Sequence, residues 1–409
     1  MSTLKYYVWL ATRENVGAAA AGRLLRHFGS AENVFFAREE ELKAVPELRP
    51  NELRALTDKD LSAPSAVLAK CAELGHRVVT IQDAEYPERL RNIYDPPIVL
   101  YVKGRLPALD EEAVVAVVGT RSCTPYGLKQ AENCGYTLAR HGLLVATGLA
   151  KGVDTAAALG ALRGGGAVIG LLGCGLDVVY PPSNDKLYED VVAVGALISE
   201  YPPGTAAVGA HFPVRNRILS GISVGVAVVE APLRSGALIT ASRALEQGRD
   251  VFAVPGNVDS ESSLGANRLL RDGAIPMTSP EDIVDEYIDL FPLKIKGGKV
   301  RSVPLDKKLE KKLLETAAAK NGGASTEKEI DNSDASDYID TEKAALSLDG
   351  NEKAVYDALR NLLRSGEAHI DDVIALSGLA ASEVLGAMTM LEIDGIVSPL
   401  GGGFYGISE

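Results

Sequence analysis

The fold is decided by three glycine-rich turns, which read Val117-Val-Gly-Thr-Arg121, Thr147-Gly-Leu-Ala-Lys-Gly-Val-Asp154 and Gly173-Cys-Gly-Leu-Asp177. Each lies where an apolar run typical of a β-strand gives way to a segment of helical length. Further turns of this kind read Phe212-Pro-Val-Arg-Asn-Arg217, Ser235-Gly-Ala-Leu-Ile-Thr240, Pro255-Gly256 and Gly265-Ala-Asn267. Open α/β sheets bind ligands at the carboxyl ends of their strands, and glycines there let backbone N–H groups approach phosphate. The turns therefore predict a phosphate-binding pocket built from several loops.

The apolar runs between residues 113 and 290 predict the sheet itself. Strand candidates are Val114–Val118, Leu143–Thr147, Ala167–Leu172, Gly195–Ser199, Val224–Glu230 and Val251–Val254, with Ile98–Tyr101 as a further strand ahead of them. Because the runs are almost continuously apolar and alternate with helices, they indicate parallel strands that are covered on both faces. We predict an α/β fold, a Rossmann-like doubly wound parallel sheet, over residues 86–290.

Different patterns flank the predicted sheet. Residues 1–85 indicate a helical module of the SAM or helix-hairpin-helix type, in which Gly29 ends one helix and Ser30 caps the next; packing and dimerisation are its simplest roles. Residues 291–349 are predicted to be a disordered linker, because a basic half gives way to Gly, Asn, Ser and Asp. Residues 350–409 indicate three helices and a hairpin, a small winged-helix-like domain.

Composition limits the classes of protein to which the chain can belong. A chain of 409 residues is too long for a single hydrophobic core, so we expect more than one domain. The sequence has no run of about 18 apolar residues that could span a membrane. We expect a cytoplasmic location, because the first residues lack an export signal and the four cysteines lack paired metal spacing. The net charge of −13 gives no overall attraction to nucleic acid, so any phosphate binding needs a local basic patch.

The first two turns supply one group of candidate phosphate ligands: Gly119, Thr120, Arg121, Gly148, Lys151 and Gly152. Thr120 can offer a hydroxyl, and Arg121 can grip a phosphate with two N–H groups. The alternative is a tight turn that carries a surface arginine. In the second turn Lys151 supplies a point charge, whereas Asp154 could simply cap the helix that follows.

The later turns supply a second group at the starts of two predicted helices: Arg215, Asn216, Arg217, Ser235, Gly236 and Thr240. Proline suits the first position of a helix, so Pro213 could open one. Arg215 and Arg217 would then lie about 200° apart, so one of them can enter the pocket with Asn216 while the other pairs elsewhere. Ser235 and Gly236 could hold a phosphate at the second helix start, or Ser235 could be an ordinary cap.

Two sequence patterns typical of enzymes are matched only in part by this chain. Gly173-x-Gly175 lacks the third glycine of a dinucleotide fingerprint. Gly221-Ile-Ser-Val-Gly225 follows a predicted helix and precedes a strand, which reverses the order that a nucleophile elbow needs. We expect His211 to order its loop rather than to act as a base. The sequence therefore predicts no catalytic residues, no metal site and no cofactor.

Seven blocks, taken in order, resemble the DNA-processing protein A family over roughly residues 85–290. The blocks are Gly-Thr-Arg at 119–121, Thr-Gly-Leu-Ala-Lys-Gly-Val-Asp at 147–154, Leu-Gly-Cys-Gly-Leu-Asp-Val-Val-Tyr-Pro at 172–181, Ile-Ser-Glu-Tyr-Pro-Pro-Gly at 198–204, His-Phe-Pro-Val-Arg-Asn-Arg-Ile at 211–218, Ser-Gly-Ala-Leu-Ile-Thr-Ala at 235–241 and Gly-Arg-Asp-Val-Phe-Ala-Val-Pro-Gly at 248–256. Each block is weak alone, but the ordered set is highly specific. One departure is Ala158, which stands where the family usually has histidine.

The resemblance implies a cytoplasmic bacterial protein that binds single-stranded DNA without strict sequence preference. It would protect incoming strands during natural transformation, help to load the RecA recombinase, and form a homodimer through the Rossmann-like domain. The positions that match the family's DNA pocket are Gly119, Thr120, Arg121, Lys151, Gly152, Arg215, Asn216 and Gly236.

Two other classes of protein remain as alternatives. Rossmann-like phosphoribohydrolases bind nucleoside phosphates in a similar fold, and they carry a Pro-Gly-Gly-x-Gly-Thr-x-x-Glu segment. This chain has Ser235-Gly-Ala-Leu-Ile-Thr240 at that junction and no acid before Glu246, which argues against cleavage of a glycosidic bond. The other alternative is a structural recombination scaffold with a vestigial pocket.

The winged-helix-like domain is expected to be dispensable for binding single strands. Its sequence has no Lys or Arg after Arg364 but several acids, so its surface repels phosphate and suits a protein contact. A chain that ends near Ala345 should keep its affinity in a titration with labelled single strands. A chain that ends near Phe291 also lacks the basic stretch Lys294–Lys320. The difference in affinity between the two truncated chains measures how much that stretch contributes to binding. Loss of binding in the longer chain would contradict the charge argument.

Overall fold

The computed structural model describes residues 3–297, 350–365, 368–393, 396–401 and 404–407. These residues fall into two compact units, one within Met1–Ser302 and one within Val303–Glu409. Most of the predicted linker, residues 298–349, lies outside the described residues. Within the described parts of the chain, no helix is both long enough and apolar enough to cross a membrane.

Short helices lead into the sheet: α1 Leu4–Ala11, α2 Ala18–Phe28, α3 Ala31–Phe36, α4 Glu39–Lys43, α5 Pro50–Thr57 and α6 Ser62–Leu74. Gly29 ends α2 in the left-handed region at φ 80°, and the Ser30 hydroxyl accepts the Asn33 N–H at 3.1 Å, so both predicted helix signals are confirmed. Trp9 is fully buried among these helices, and its indole N–H donates to the Asp58 carbonyl at 2.9 Å.

The sheet has nine strands: β1 Arg77–Thr80, β2 Val99–Gly104, β3 Val114–Val118, β4 Leu144–Thr147, β5 Val168–Leu172, β6 Ala196–Ser199, β7 Gly225–Val228, β8 Asp250–Ala253 and β9 Ile275–Pro276. Their order is β1-β2-β6-β5-β4-β3-β7-β8-β9. In this order, every neighbouring pair from β6 through β5, β4, β3, β7 and β8 to β9 is parallel. At one edge, β2 pairs antiparallel with β6, and β1 pairs antiparallel with β2. The α/β prediction is confirmed, and each predicted strand is present.

Both edges of the sheet differ from the expectation, because β9 was not predicted at one edge and the antiparallel β1 was not predicted at the other. Arg77–Thr80 lies inside the range 1–85 that we assigned to the helical module, yet it pairs with β2 and belongs to the sheet. A four-residue run is too short for its apolar pattern to distinguish a strand from a loop. The helical part of the module therefore ends with α6.

Helices cover both faces of the sheet: α7 Glu88–Arg91, α8 Pro125–His141, α9 Val153–Arg163, α10 Asp185–Val194, α11 His211–Gly221, α12 Gly236–Glu246, α13 Leu264–Arg271 and α14 Glu281–Tyr287. Successive residues of a strand point to opposite faces. Val115 and Val117 of β3 accordingly enter one core, and Val114 and Ala116 enter the other. Because both faces are buried, the central strands are almost continuously apolar, and Thr147 of β4 is a buried polar exception at a carboxyl end.

Two glycines let α8 and α9 pack with their backbones in contact. A Cβ atom on Gly135 would lie 2.0 Å from the Ala157 carbonyl oxygen, and one on Gly160 would lie 2.1 Å from the Glu132 carbonyl oxygen. Real Cβ atoms do not approach oxygen so closely. Ala158 is fully buried in the same core, so the position where the family usually has histidine faces the interior here.

The second unit contains α15 Gly350–Ser365, β10 Ala368–His369, α16 Ile370–Ser377, α17 Ala381–Ile393, β11 Val397–Gly401 and β12 Phe404–Ile407. The strands form an antiparallel sheet in the order β10-β12-β11. Val355, Leu359, Val373 and Leu391 are fully buried and form its core. Three helices followed by a hairpin give the arrangement that the sequence predicts.

Replacing Gly160 by alanine tests the α8–α9 contact. The added methyl group would overlap a backbone oxygen, so the helices must separate, and we expect a loss of about 1–3 kcal/mol in the free energy of unfolding. Gly22→Ala is the matched control, because its Cβ would meet only the Arg26 side chain, at 3.5 Å. That variant should gain up to about 1 kcal/mol from helix propensity. Urea unfolding measures both, and a Gly160→Ala protein as stable as the parent would refute the contact.

Candidate nucleic-acid interface

The topology gathers the glycine-rich turns at one edge of the sheet. From β3 the chain adds β4, β5 and β6 on one side, and it then returns to place β7 on the other side of β3. The order of the strands therefore reverses between β3 and β7, which is the switch point where open α/β sheets bind ligands. The turns after β3, β4 and β7 follow the carboxyl ends of adjacent parallel strands.

The first two turns touch through their backbones. Gly152 has φ +77°, and a Cβ atom there would lie 2.5 Å from the Thr120 carbonyl oxygen and 2.6 Å from that of Arg121. The Val153 N–H donates to the Thr120 carbonyl at 3.3 Å, and the Thr120 N–H donates to the Glu230 carbonyl at 2.7 Å. Only glycine fits the conformation and the space at position 152.

Two cations stand on these adjoining turns. Lys151 is exposed and Arg121 is partly exposed. The Arg121 guanidinium lies 5.4 Å from the centre of the Phe212 ring, within range of a cation–π interaction. Neither cation forms an ion pair with any residue that the structure describes. Their charges are therefore available to an anion at this edge.

Arg215 occupies the interior beneath the second turn. It is 5% exposed, and its Nη1 donates to the Leu171 carbonyl at 2.7 Å. A Cβ atom on Gly148 would lie 1.9 Å from that nitrogen, so the glycine makes room for the guanidinium. Burial lowers the pKa of Arg215, which the nearby Asp154 opposes. Although the sequence analysis offered Arg215 as a pocket residue, its charge lies behind the turn rather than at the surface.

Asp154 does not cap α9. The cap position is Gly152, and the Asp154 carboxylate instead accepts the Ala150 N–H within the turn, at 3.4 Å. Burial raises the pKa of Asp154, while Arg215 beside it favours the charged form. Both residues are buried beneath the second turn, where each influences the ionisation of the other.

Arg217 pairs elsewhere, as its spacing from Arg215 predicts. Its Nε lies 3.1 Å from a carboxylate oxygen of Asp95, and its Nη2 lies 2.8 Å from one of Glu200. The helix begins at His211 rather than at Pro213, so the predicted first position is wrong. Proline is tolerated there because the N–H groups of a first turn need no partner within the helix.

The turn after β7 presents an open helix start. Ser235 caps α12 by accepting the Ala237 N–H at 3.3 Å, and the position of a Cβ on Gly236 has no atom within 4 Å. Asn216 is 8% exposed and ties α11 to this turn by donating to the Gly236 carbonyl at 3.3 Å. Thr240 is only 2% exposed, with its hydroxyl 3.5 Å from that carbonyl, so it lies below the surface.

Sequence reasoning missed Arg234 at this edge, whereas it predicts Glu230, the acid that ends its strand, as a buried carboxylate at the rim or a hydrogen-bond acceptor of the pocket. Arg234 is exposed directly before the Ser235 cap, and its place next to a Ser-Gly turn was the available signal. Glu230 holds the turns together, because its carboxylate accepts the Thr124 N–H at 2.9 Å and the Thr124 hydroxyl at 2.6 Å. Only the paired strands bring position 230 to position 124.

His211 orders its loop, as the sequence analysis expected. Its Nδ1 lies 3.0 Å from the Gly173 carbonyl oxygen, and its ring stacks on that of Tyr201 with 4.0 Å between centres. Burial lowers the pKa of His211, which favours the neutral ring. Within the described residues, no group of three or more acidic, histidine or cysteine side chains could hold a metal ion.

Comparison with known proteins agrees with the resemblance. The family model described as DNA recombination-mediator protein A matches residues 77–288, and the model described as the DprA winged helix domain matches residues 340–403. DNA processing protein DprA of Streptococcus pneumoniae is 45% identical over 208 residues, which cover 51% of this chain and 73% of the relative. Protein Smf of Synechocystis is 31% identical over 404 residues, which cover 97% of this chain and 98% of the relative.

A solved structure supports the same relationship. The X-ray structure of DNA processing protein A from Streptococcus pneumoniae matches with a TM-score of 0.62 and 34% sequence identity, covering 70% of this chain and 99% of that one. The family models span both the sheet and the winged-helix domain. The predicted resemblance is confirmed, and the chain belongs to the DNA recombination-mediator protein A family.

Proposed function

We propose that this protein binds single-stranded DNA and acts as a recombination mediator. The observation that carries the proposal is the pair of unpaired cations, Arg121 and Lys151, on two turns whose backbones touch at the switch point of the sheet. Phosphate is the anion that such turns hold best, because backbone N–H groups and helix N-termini lie beside the cations. The net charge of the whole chain is −13, which repels nucleic acid, so this basic patch must supply the attraction.

A narrow site suits a single strand better than a duplex. The two cations occupy neighbouring turns rather than a broad basic face, and a flexible strand can follow turns that a rigid duplex cannot enter. The Phe212 ring beside Arg121 offers a stacking surface for a base. We propose that Gly119, Thr120, Gly148, Gly152, Asn216, Ser235 and Gly236 shape the site, that Arg234 adds a phosphate contact, and that Arg215, Arg217 and Thr240 support it from within.

The cellular role proposed for the protein follows its family. It would act in the cytoplasm as a homodimer, protect incoming strands during natural transformation, and help to load the RecA recombinase. The winged-helix domain would contact a protein rather than DNA, since its acidic residues repel phosphate.

We propose binding rather than catalysis as its activity. A phosphoribohydrolase would need an acid near the turn after β7, and Glu230 is committed to Thr124 in that region. Release of free base from a nucleoside monophosphate would support the enzyme instead.

The purified protein should bind single-stranded DNA more tightly than duplex DNA of the same length. Phosphate contacts release counterions, so the affinity for single strands should fall steeply as salt is added. Between 50 and 200 mM salt we expect the affinity to fall by about ten- to a hundredfold or more. Fluorescence anisotropy with a labelled oligonucleotide measures both effects. Equal affinity for the two forms, or an affinity independent of salt, would contradict the proposal.

Arg121→Ala and Lys151→Ala should each weaken single-strand binding without unfolding the protein. Each change removes a charge-assisted contact of about 1.5–3 kcal/mol, which is about ten- to a hundredfold in the dissociation constant. Arg38→Ala and Lys70→Ala are the matched controls, because these cations are exposed and lie in the helical module. If both site variants fold and bind like the controls, DNA binds elsewhere.

A further inference from the structure

Asn184 lies at the start of α10, but its side chain does not cap that helix. Asparagine in this position ordinarily accepts a hydrogen bond from an N–H of the first turn. The Asn184 side chain makes no such bond, and it is 6% exposed. Its amide instead reaches a residue 35 positions earlier in the chain. A buried amide that turns away from its own helix indicates that it restrains another segment.

That segment is the turn before Lys151. The Asn184 Nδ2 donates to the Leu149 carbonyl at 2.9 Å and to the Thr155 hydroxyl oxygen at 2.9 Å. The Thr155 hydroxyl in turn donates to the Ala150 carbonyl at 2.6 Å. The two carbonyls that precede Lys151 are therefore both held by this small network.

Leu149 needs such a restraint. Its φ is +51°, in the left-handed region that costs a residue other than glycine about 1–2 kcal/mol. Such a conformation persists only where its surroundings fix it. The Leu149 side chain is fully buried against Gly170, and its carbonyl is bound by Asn184. Packing against Gly170 thus fixes the Leu149 side chain, and the hydrogen bond from Asn184 fixes its backbone.

The opposite side of Lys151 is fixed by the first turn. Gly152 packs against the Thr120 and Arg121 carbonyls, so the backbone on both sides of Lys151 is restrained while its side chain is exposed. We infer that Asn184 is a positioning residue for single-strand binding: it holds the left-handed Leu149 and so fixes where the Lys151 side chain meets phosphate. The inference rests on the proposed function, because it concerns the same turn.

A double-mutant cycle tests whether Asn184 acts through Lys151. Asn184→Ala should weaken binding of a labelled single strand by about tenfold. In a protein that already carries Lys151→Ala, the same change should cost less than about twofold, because the residue that it positions is gone. Asn33→Ala is the control, since its amide also donates to a backbone carbonyl, that of Phe28 at 2.8 Å, but within the helical module.

Thr155 provides a second test if Asn184→Ala does not fold. Thr155→Val keeps the shape but removes the hydroxyl that links Asn184 to the Ala150 carbonyl, whereas Thr155→Ser keeps the hydroxyl. The valine variant should lose affinity by several fold, and the serine variant should restore it to within about twofold of the parent. Thermal unfolding of each variant checks that both remain folded at the temperature of the binding measurement, so that a difference in affinity does not come from unfolding.

The outcomes separate the inference from the proposed function. A parent protein that binds no single strand overturns both. If the parent binds and Lys151→Ala weakens binding, but Asn184→Ala binds normally, the inference alone fails. It also fails if the losses from Asn184→Ala and Lys151→Ala multiply in the double variant, because independent residues behave in that way.

Discussion

The backbone contact between Gly152 and the carbonyls of Thr120 and Arg121 is the constraint on which the rest of the site depends. It joins the turns after β3 and β4 at a distance that no side chain at position 152 would permit. Because the turns touch, Arg121 and Lys151 stand on adjoining loops although 30 positions separate them in the chain. Parallel pairing of β3 with β4 brings the loops together, and the glycine lets them close.

The charges at this edge are divided between an interior and a surface. Arg215 and Asp154 lie beneath the second turn, and Arg217 pairs with Asp95 and Glu200. Burying a guanidinium carries a desolvation penalty, which Arg217 offsets by two carboxylates and Arg215 by its hydrogen bond to the Leu171 carbonyl. The buried arginines therefore support the loops, whereas the charges of Arg121 and Lys151 remain available to an anion.

The same division is what would let an acidic chain bind a phosphate backbone, as we propose. A net charge of −13 opposes nucleic acid over long distances, but salt screens charges that lie more than about 8–10 Å apart. Close to the turns, the two cations and the backbone N–H groups dominate. Loops crosslinked by Glu230 and Asn184 present these groups with little freedom, so less ordering is needed on binding.

The sequence by itself determined strands β2 to β8, the parallel arrangement of β3 to β8 and the family, because these buried strands are largely apolar and the glycine blocks recur in a fixed order. It also determined that Arg215 and Arg217 diverge, since helix geometry fixes the angle between them. Only the tertiary structure decided that Arg215 is buried, that Glu230 reaches Thr124, and that Asn184 leaves its own helix for Leu149. Those contacts join residues 35 to 106 positions apart, and no local pattern encodes them, because they exist only once the strands have paired.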